Sequence, residues 1–313
     1  MEEKTITQEV EKLRLALCEA EAVLVGAGAG ISIAAGLATS GERFDRFFGD
    51  FSAKYQMKDM YEGAGDSFES PEEQWAYLSR FIYLNRYEKA PLPVYEKLYE
   101  LLDGGEGKPK KDYFILTTNQ DHQFQKAGFD KERIFSTQGD LGLLQCSRPC
   151  LPRIYENKSR VVKMVLSQGF SIGEEGELVA PTMEDGKTDY RELSMEVGSM
   201  LLPQCPICGS PLMLNVRAGG EEEIFVKEDG WHEAALCFNR YLSGIEKKKV
   251  LLLELGAGNQ YPDIIKYQFW NLAREWENAT YACVNLSDAA IPEDLAEKGI
   301  RIEGNLAEVL ALL

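Results

Sequence analysis

The stretch "EAVLVGAGAGISI" (residues 21–33) decides how the rest of the chain is read. Val23 to Val25 make a short apolar run of the kind that lies buried in a parallel sheet, where both faces are covered and no polar alternation is needed. Gly26, Gly28 and Gly30 leave room for a sharp backbone turn, and Ile31 onward can open a helix. A strand, a glycine turn and a helix in that order aim backbone N–H groups and a helix N-terminus at a phosphate. Glycine serves any tight turn, so taken alone the loop leaves an ordinary turn open as a second reading.

Three further segments narrow that choice. "DYFILTTNQDH" (112–122), "KVLLLELGAGNQYP" (249–262) and "ATYACVNLSD" (279–288) are each an apolar run emptying into a polar or glycine-bearing loop. In an open parallel sheet the ligand lies beyond the carboxyl ends of the strands, so the four loops meet at one crevice and describe a nucleotide site. The expected fold is α/β, a Rossmann-like parallel sheet with a smaller domain inserted.

At 313 residues the chain can hold one large core and a smaller module. A net charge of −17 is a poor match to nucleic acid or an anionic membrane, while a small ligand held by local N–H groups is unaffected. With no apolar run of about 18 residues and an acidic, amphipathic start, "MEEKTITQEVEKL", a cytoplasmic protein is expected. Seven cysteines, an odd number, argue against a disulfide framework. Cys146 and Cys150 form a C-x3-C pair, and Cys205 and Cys208 a C-x2-C pair in "CPICGSPL". Four thiolates suit a tetrahedral, structural Zn²⁺ with no open position; the other reading is two unrelated reduced pairs, since 54 residues (151–204) intervene. Cys18, Cys237 and Cys283 fall in apolar runs and read as core thiols.

Helical spacing marks residues 7–20 through Val10, Leu13 and Leu17, the aromatic stretch "EEQWAYLSRFIYLNRY" through Trp75, Leu78 and Ile82, and the next segment through Val94, Leu98 and Leu101. Pro262 can start a helix lined by Ile265, Phe269 and Leu272, and "GNLAEVLALL" closes the chain as another. "GGEGKPKK" (104–111) reads as a basic turn, and "SRVVKMVLSQGF" with "EEGELVAP" as a hairpin-like extension. The domain reading is residues 1–140 and 246–313 for the Rossmann-like part and 141–245 for the zinc-bearing insert.

"GAGIS" (28–32), "TNQD" (118–121), "QG" (138–139), the two Cys pairs, "LGAGN" (255–259) and "VN" (284–285) occur in the order found in sirtuins, and the chain resembles that family along most of its length. The resemblance implies the sirtuin fold and NAD as co-substrate. It implies catalytic roles for Asn119, Asp121 and Gln138. It also implies NAD contacts from Gly28, Ala29, Gly30, Ser32, Arg43, Phe44, Asn119, Gln120, Asp121, Gly256, Gly258, Asn259 and Asn285. Asp121 also reads as a helix N-cap for "HQFQKAG", Asn119 as a loop-capping amide, and Arg43–Phe44 as surface chemistry.

The chain departs from sirtuin deacylases at a decisive place. They carry a general-base histidine where this chain has Gln138, and a neutral amide cannot take up a proton near neutral pH. The two histidines present are His122 and His232, and His122 reads as a helix-start residue. The family's proline-aspartate-phenylalanine-arginine stretch is replaced by "GLATSGERFDRFFGDF", and "NVRAGGEEEIFVKEDGW" lacks the strand pattern with which deacylases grip an acyl-lysine peptide. The pattern is similar to the macrodomain-linked sirtuins of bacteria and fungi, SirTM (class M). That similarity implies protein mono-ADP-ribosylation, with nicotinamide released, a lipoylated carrier like the glycine-cleavage H protein as acceptor, and a macrodomain hydrolase as counterpart. A deacylase, an NAD glycohydrolase and a non-catalytic NAD sensor are the competing expectations.

Overall fold

The computed structural model describes residues 2–65, 67–88, 92–104, 110–217 and 224–313. The chain divides into two compact units, one made of Met1–Gly36, Pro91–Gln138 and Asp229–Leu313, the other of Leu37–Ala90 and Gly139–Glu228.

The first unit is built on six parallel strands, in the order Gly299–Glu303, Ala279–Asn285, Val250–Leu255, Ala22–Ala27, Asp112–Thr117 and Ile134–Ser136. Every residue of the two central strands, Ala22–Ala27 and Val250–Leu255, is buried, which is why both read as apolar runs, interrupted only by the buried Glu254. Chain order runs outward in both directions from this central pair, so the crevice of an open α/β sheet lies at their carboxyl ends. One face carries Leu24, Leu116, Leu252 and Tyr281 against the helices Asp229–Ile245 and Lys266–Glu275. Gly26 belongs to this face because a Cβ there would sit 2.4 Å from Ile265 Cγ2. The opening helix, Glu2–Glu19, buries Val10, Leu13 and Leu17 as its spacing requires.

The second unit pairs Gly139–Cys146 antiparallel with Ile154–Glu156 and with Leu212–Val216, and adds a two-residue hairpin, Ser171–Ile172 with Leu178–Val179. Its core is aromatic. Phe44, Phe47, Phe48 and Phe51 of the helix Glu42–Tyr55 pack with Tyr77 and Phe81 of the helix Pro71–Ile82. Arg80 is wholly buried there, donating to Phe47 O, Asp50 Oδ1, Gln168 Oε1 and Ser194 O while its guanidinium lies over the rings of Phe51 and Phe170. Removing one partner of such a pair strands the other charge in the core. Arg80→Met is therefore expected to lower unfolding free energy by about 3–5 kcal/mol, read from the denaturation midpoint.

Several boundaries differ from the expected ones. Residues 37–90 belong with the cysteine-bearing unit rather than the sheet, because their aromatic helices share one core with Leu144, Val161 and Leu212. Residues 229–245 belong with the sheet, because Trp231 and Phe238 of that helix stack on Phe135. The stretch expected to start a hairpin is a helix, Lys158–Ser167, where Val161, Met164 and Val165 are buried at helical spacing; only the short pairing that follows is a hairpin. The helix after Pro262 begins at Lys266. Cys283 is a core thiol, but Cys18 is exposed and Cys237 half-buried. Most of the basic turn 104–111 and residues 218–223 of the segment after the second Cys pair lie outside the described residues.

Candidate active site and cysteine cluster

Strand ends bring the first unit's polar residues together. Thr117, last in its strand, donates its hydroxyl to Ala27 O and accepts from the Asn119 N–H, so the loop after it bends over residues 28–32. There the buried Asn119 amide lies 3.1 Å from Gly28 O, 3.1 Å from Ser32 Oγ and 3.4 Å from Tyr95 OH. Ser32 donates to Asp121 Oδ2 at 2.5 Å, and Asp121 Oδ1 accepts the Gln123 N–H. With the only Ser32 hydroxyl hydrogen committed to Asp121, the 2.8 Å contact between Ser32 and Tyr95 runs with Tyr95 as donor. Asn119, Ser32, Tyr95 and Asp121 thus form one buried chain. The N-cap position of the short helix Gln123–Lys126 is His122 rather than Asp121, which stands one residue earlier and accepts from the first helical N–H. His122 adopts φ 63° at the head of that helix.

Gln138 is 6% exposed and its backbone is held on both sides. Thr137 donates its N–H and hydroxyl to Thr117 O and accepts from Trp231 Nε1, while Gln120 donates its amide to Gln138 O. The following Gly139 has φ 87°, and a Cβ there would lie 2.1 Å from Asn215 O, so no other residue fits.

The glycines of the two central loops interlock. A Cβ on Gly28 would lie 2.6 Å from Ala257 Cα, and one on Gly30 2.7 Å from Gly256 Cα; Gly256 itself has φ 61°. The Gly28 and Gly30 amides, expected to face a phosphate, donate to Leu255 O and Gly256 O. Asn285 donates to Ala257 O, and the Gly256 N–H to Val284 O, which adds the third loop to the same floor. Gly258 and Asn259 are exposed on it.

Arg43 and Phe44 lie in the second unit. The Arg43 guanidinium is committed to Ala38 O, Leu84 O and Asn85 Oδ1 with Glu88 beside it, and burial holds its pKa below the ordinary value. Phe44 is buried and stacked on Phe48. Sequence reasoning missed Tyr95, because an aromatic residue at the start of an amphipathic helix reads as core; its ring does pack edge-on against Phe124. Gln120 and Trp231 were equally unmarked as struts for residues 137–138.

Among the described residues Cys146, Cys150, Cys205 and Cys208 place their four sulfurs within 4.8 Å of one another. The Cys146–Cys208 and Cys150–Cys205 separations are 3.6 and 3.7 Å, too long for disulfides. A tetrahedron of Zn–S bonds has edges of about 3.8 Å, so the donor set fits zinc. The knuckle turn is closed by the Cys205 N–H to Ser210 O and the Gly209 N–H to Cys205 O, with Gly209 at φ 74°. Hydrogen bonds from the Ser210 hydroxyl and amide pull the Cys208 thiol down to about 6, favouring the thiolate that a metal needs.

No protein-family model matches the chain. It is 32% identical over 311 residues to a protein ADP-ribosyltransferase of Staphylococcus aureus, covering 99% of this chain and 88% of that protein. It is 27% identical to a probable bifunctional ADP-ribose hydrolase/ADP-ribosyltransferase of Fusarium oxysporum f. sp. cubense, of whose length it spans 46%. Among solved structures, a Sir2 homologue in complex with NAD superposes with a TM-score of 0.52 at 18% identity, covering 96% of this chain and 91% of the other. A Sir2 bound to acetylated peptide gives 0.53 at 17% identity over 96% and 95%. The similarity along 99% of the chain and the superposition on Sir2 structures point the same way, and the chain belongs to the protein ADP-ribosyltransferases built on the sirtuin fold.

Proposed function

We propose that this protein transfers ADP-ribose from NAD to an acceptor protein and releases nicotinamide. The observation that carries the reading is the buried chain of Asn119, Ser32, Tyr95 and Asp121 beside the carboxyl ends of the strands Ala22–Ala27 and Asp112–Thr117, with an amide, Gln138, whose backbone carbonyl accepts from Gln120 of the same loop, where proton abstraction would require a titratable group. Loss of nicotinamide leaves positive charge on the ribose C1′, and a site accelerates it by fixing the leaving amide, the ribose and the diphosphate while C1′ stays open. Asp121 would accept from the nicotinamide amide, Asn119 and Gln138 would hold the ribose hydroxyls, and Gly256, Gly258, Asn259 and Asn285 would line the adenosine end. The glycine floor supports this, since a methyl at Gly28 or Gly30 would push the loops apart. A nucleophilic side chain of the acceptor then bonds to C1′ and loses its proton to solvent, so no ribose hydroxyl needs a base.

The acceptor proposed is a lipoylated carrier similar to the glycine-cleavage H protein, with a macrodomain hydrolase removing the mark, in the cytoplasm. The bifunctional name of the Fusarium relative supports that pairing of activities. Labelled NAD incubated with the protein and a lipoylated carrier should place label on the carrier, with a rate that is nearly flat from about pH 6 to 8, where a histidine base would impose a step. Release of acetyl-ADP-ribose from an acetyl-lysine peptide would assign deacylation. NAD turnover without acceptor would assign a glycohydrolase, and binding without turnover a sensor.

A further inference from the structure

We infer that Lys266 is a positioning residue for the adenosine end of the nucleotide crevice, an assignment that rests on the NAD reading above. Lys266 opens the helix Lys266–Glu275 and is 2% exposed. Its Nζ lies 3.2 Å from Glu254 Oε1, donates to Asp288 O at 3.4 Å, and lies 3.8 Å from Asp288 Oδ2. Glu254, with no exposed surface, accepts from Tyr281 OH at 2.7 Å and from the Cys283 thiol at 3.4 Å. Burial pushes Cys283 up to about 12 and raises Tyr281 as well, so both remain neutral donors and the matching positive charge comes from Lys266.

The two anchors of this lysine sit beside the two loops that carry the adenosine-side residues. Glu254 is two residues before Gly256, and Asp288 is three residues after Asn285. A buried ion pair that served only stability could give way to apolar residues at no net cost. What this one adds is reach to a half-exposed carboxylate and a backbone carbonyl on the ligand side of the sheet. Lys266 therefore holds the 286–289 loop in register with the 255–259 loop, and the structure of the crevice at that end depends on it.

The test uses wild-type protein, Asp288→Ala, Lys266→Met, and the double variant Lys266→Met with Glu254→Gln, which removes both buried charges. Melting temperature is read beside the NAD Kd from calorimetry and the KM and kcat of transfer. Lys266→Met alone should melt early, because Glu254 is left unpaired. Both Asp288→Ala and the double variant should melt close to wild type; the double variant should bind NAD about tenfold more weakly, with KM raised in step and kcat within about twofold, and Asp288→Ala, which keeps the bond to the backbone carbonyl, about threefold more weakly. Wild-type Kd in both of these would overturn the inference, as would a loss of affinity confined to Lys266→Met and cured in the double variant. A wild-type protein that binds no NAD would remove the nucleotide reading itself, and the inference with it.

Discussion

Asn119→Ala is expected to slow ADP-ribosyl transfer by about a hundred- to a thousandfold, the loss of about 2.7–4 kcal/mol of fixation at the bond that breaks. The substitution removes the amide that bridges Gly28 O and Ser32 Oγ, so the chain from Tyr95 through Ser32 to Asp121 loses its lateral brace as well as the ribose contact proposed for Asn119. Gln138→Ala should cost about ten- to a thousandfold, since it would remove the proposed ribose contact while leaving the Gln120 strut, which bonds the backbone. Gln138→His is the sharper probe. It supplies a possible base, yet deacylation should stay negligible and transfer should fall through altered geometry. Initial rates of label transfer, with circular dichroism to confirm folding, check all three. Undiminished transfer by Gln138→Ala, or efficient deacetylation by the wild type, would show that the glutamine has another role.

Treatment with a metal chelator should have an effect of a different kind. Metal analysis is expected to find about one Zn²⁺ per chain, and Cys208→Ala or a strong chelator should unfold much of the cysteine-bearing unit rather than slow the chemistry in a graded way. Cys146 and Cys205 are buried, at 2% exposure each, in the same core as Leu144 and Leu212, so two of the four sulfurs would be left uncompensated against apolar surface, with the exposed Cys150 and Cys208 beside them. Loss of protease resistance in segments 139–228 on chelation, restored by zinc, is the measurement. A metal-free protein that is folded and active would set the zinc assignment aside.

The parallel sheet was legible in the sequence because strands covered on both faces leave largely apolar runs, and Ala22–Ala27 and Val250–Leu255 are buried at every position, Glu254 included. The four cysteines were legible through spacing alone, even with 54 residues between the pairs. Membership of residues 37–90 in the second unit was not, because which core an aromatic helix joins depends on distant partners such as Leu144 and Val161. The β-branched Val161, Val162 and Val165 suggested a strand, but burial at helical spacing outweighed that local preference. Within the candidate site, a strand end followed by a polar loop marked the segment, and the resemblance to sirtuins singled out Asn119 and Asp121 in it. Tyr95 could not, since nothing in "PVYEKL" separates a core ring from a hydroxyl that reaches Ser32. Likewise the glycines pointed to a turn, whereas their amides are spent on the neighbouring loop.

The interlocked glycines bear on how a ligand would be admitted. Gly28, Gly30 and Gly256 touch backbone to backbone, and the Gly28 and Gly30 amides are held by carbonyls at the end of a fully buried strand. Loops joined in this way open only when the sheet beneath them does, so their amide hydrogens should exchange with solvent as slowly as those of the strands. The crevice floor is then already in its final shape before any ligand arrives, and little conformational freedom is left there to be lost on association. Selection among nucleotides would rest on fit to a fixed surface.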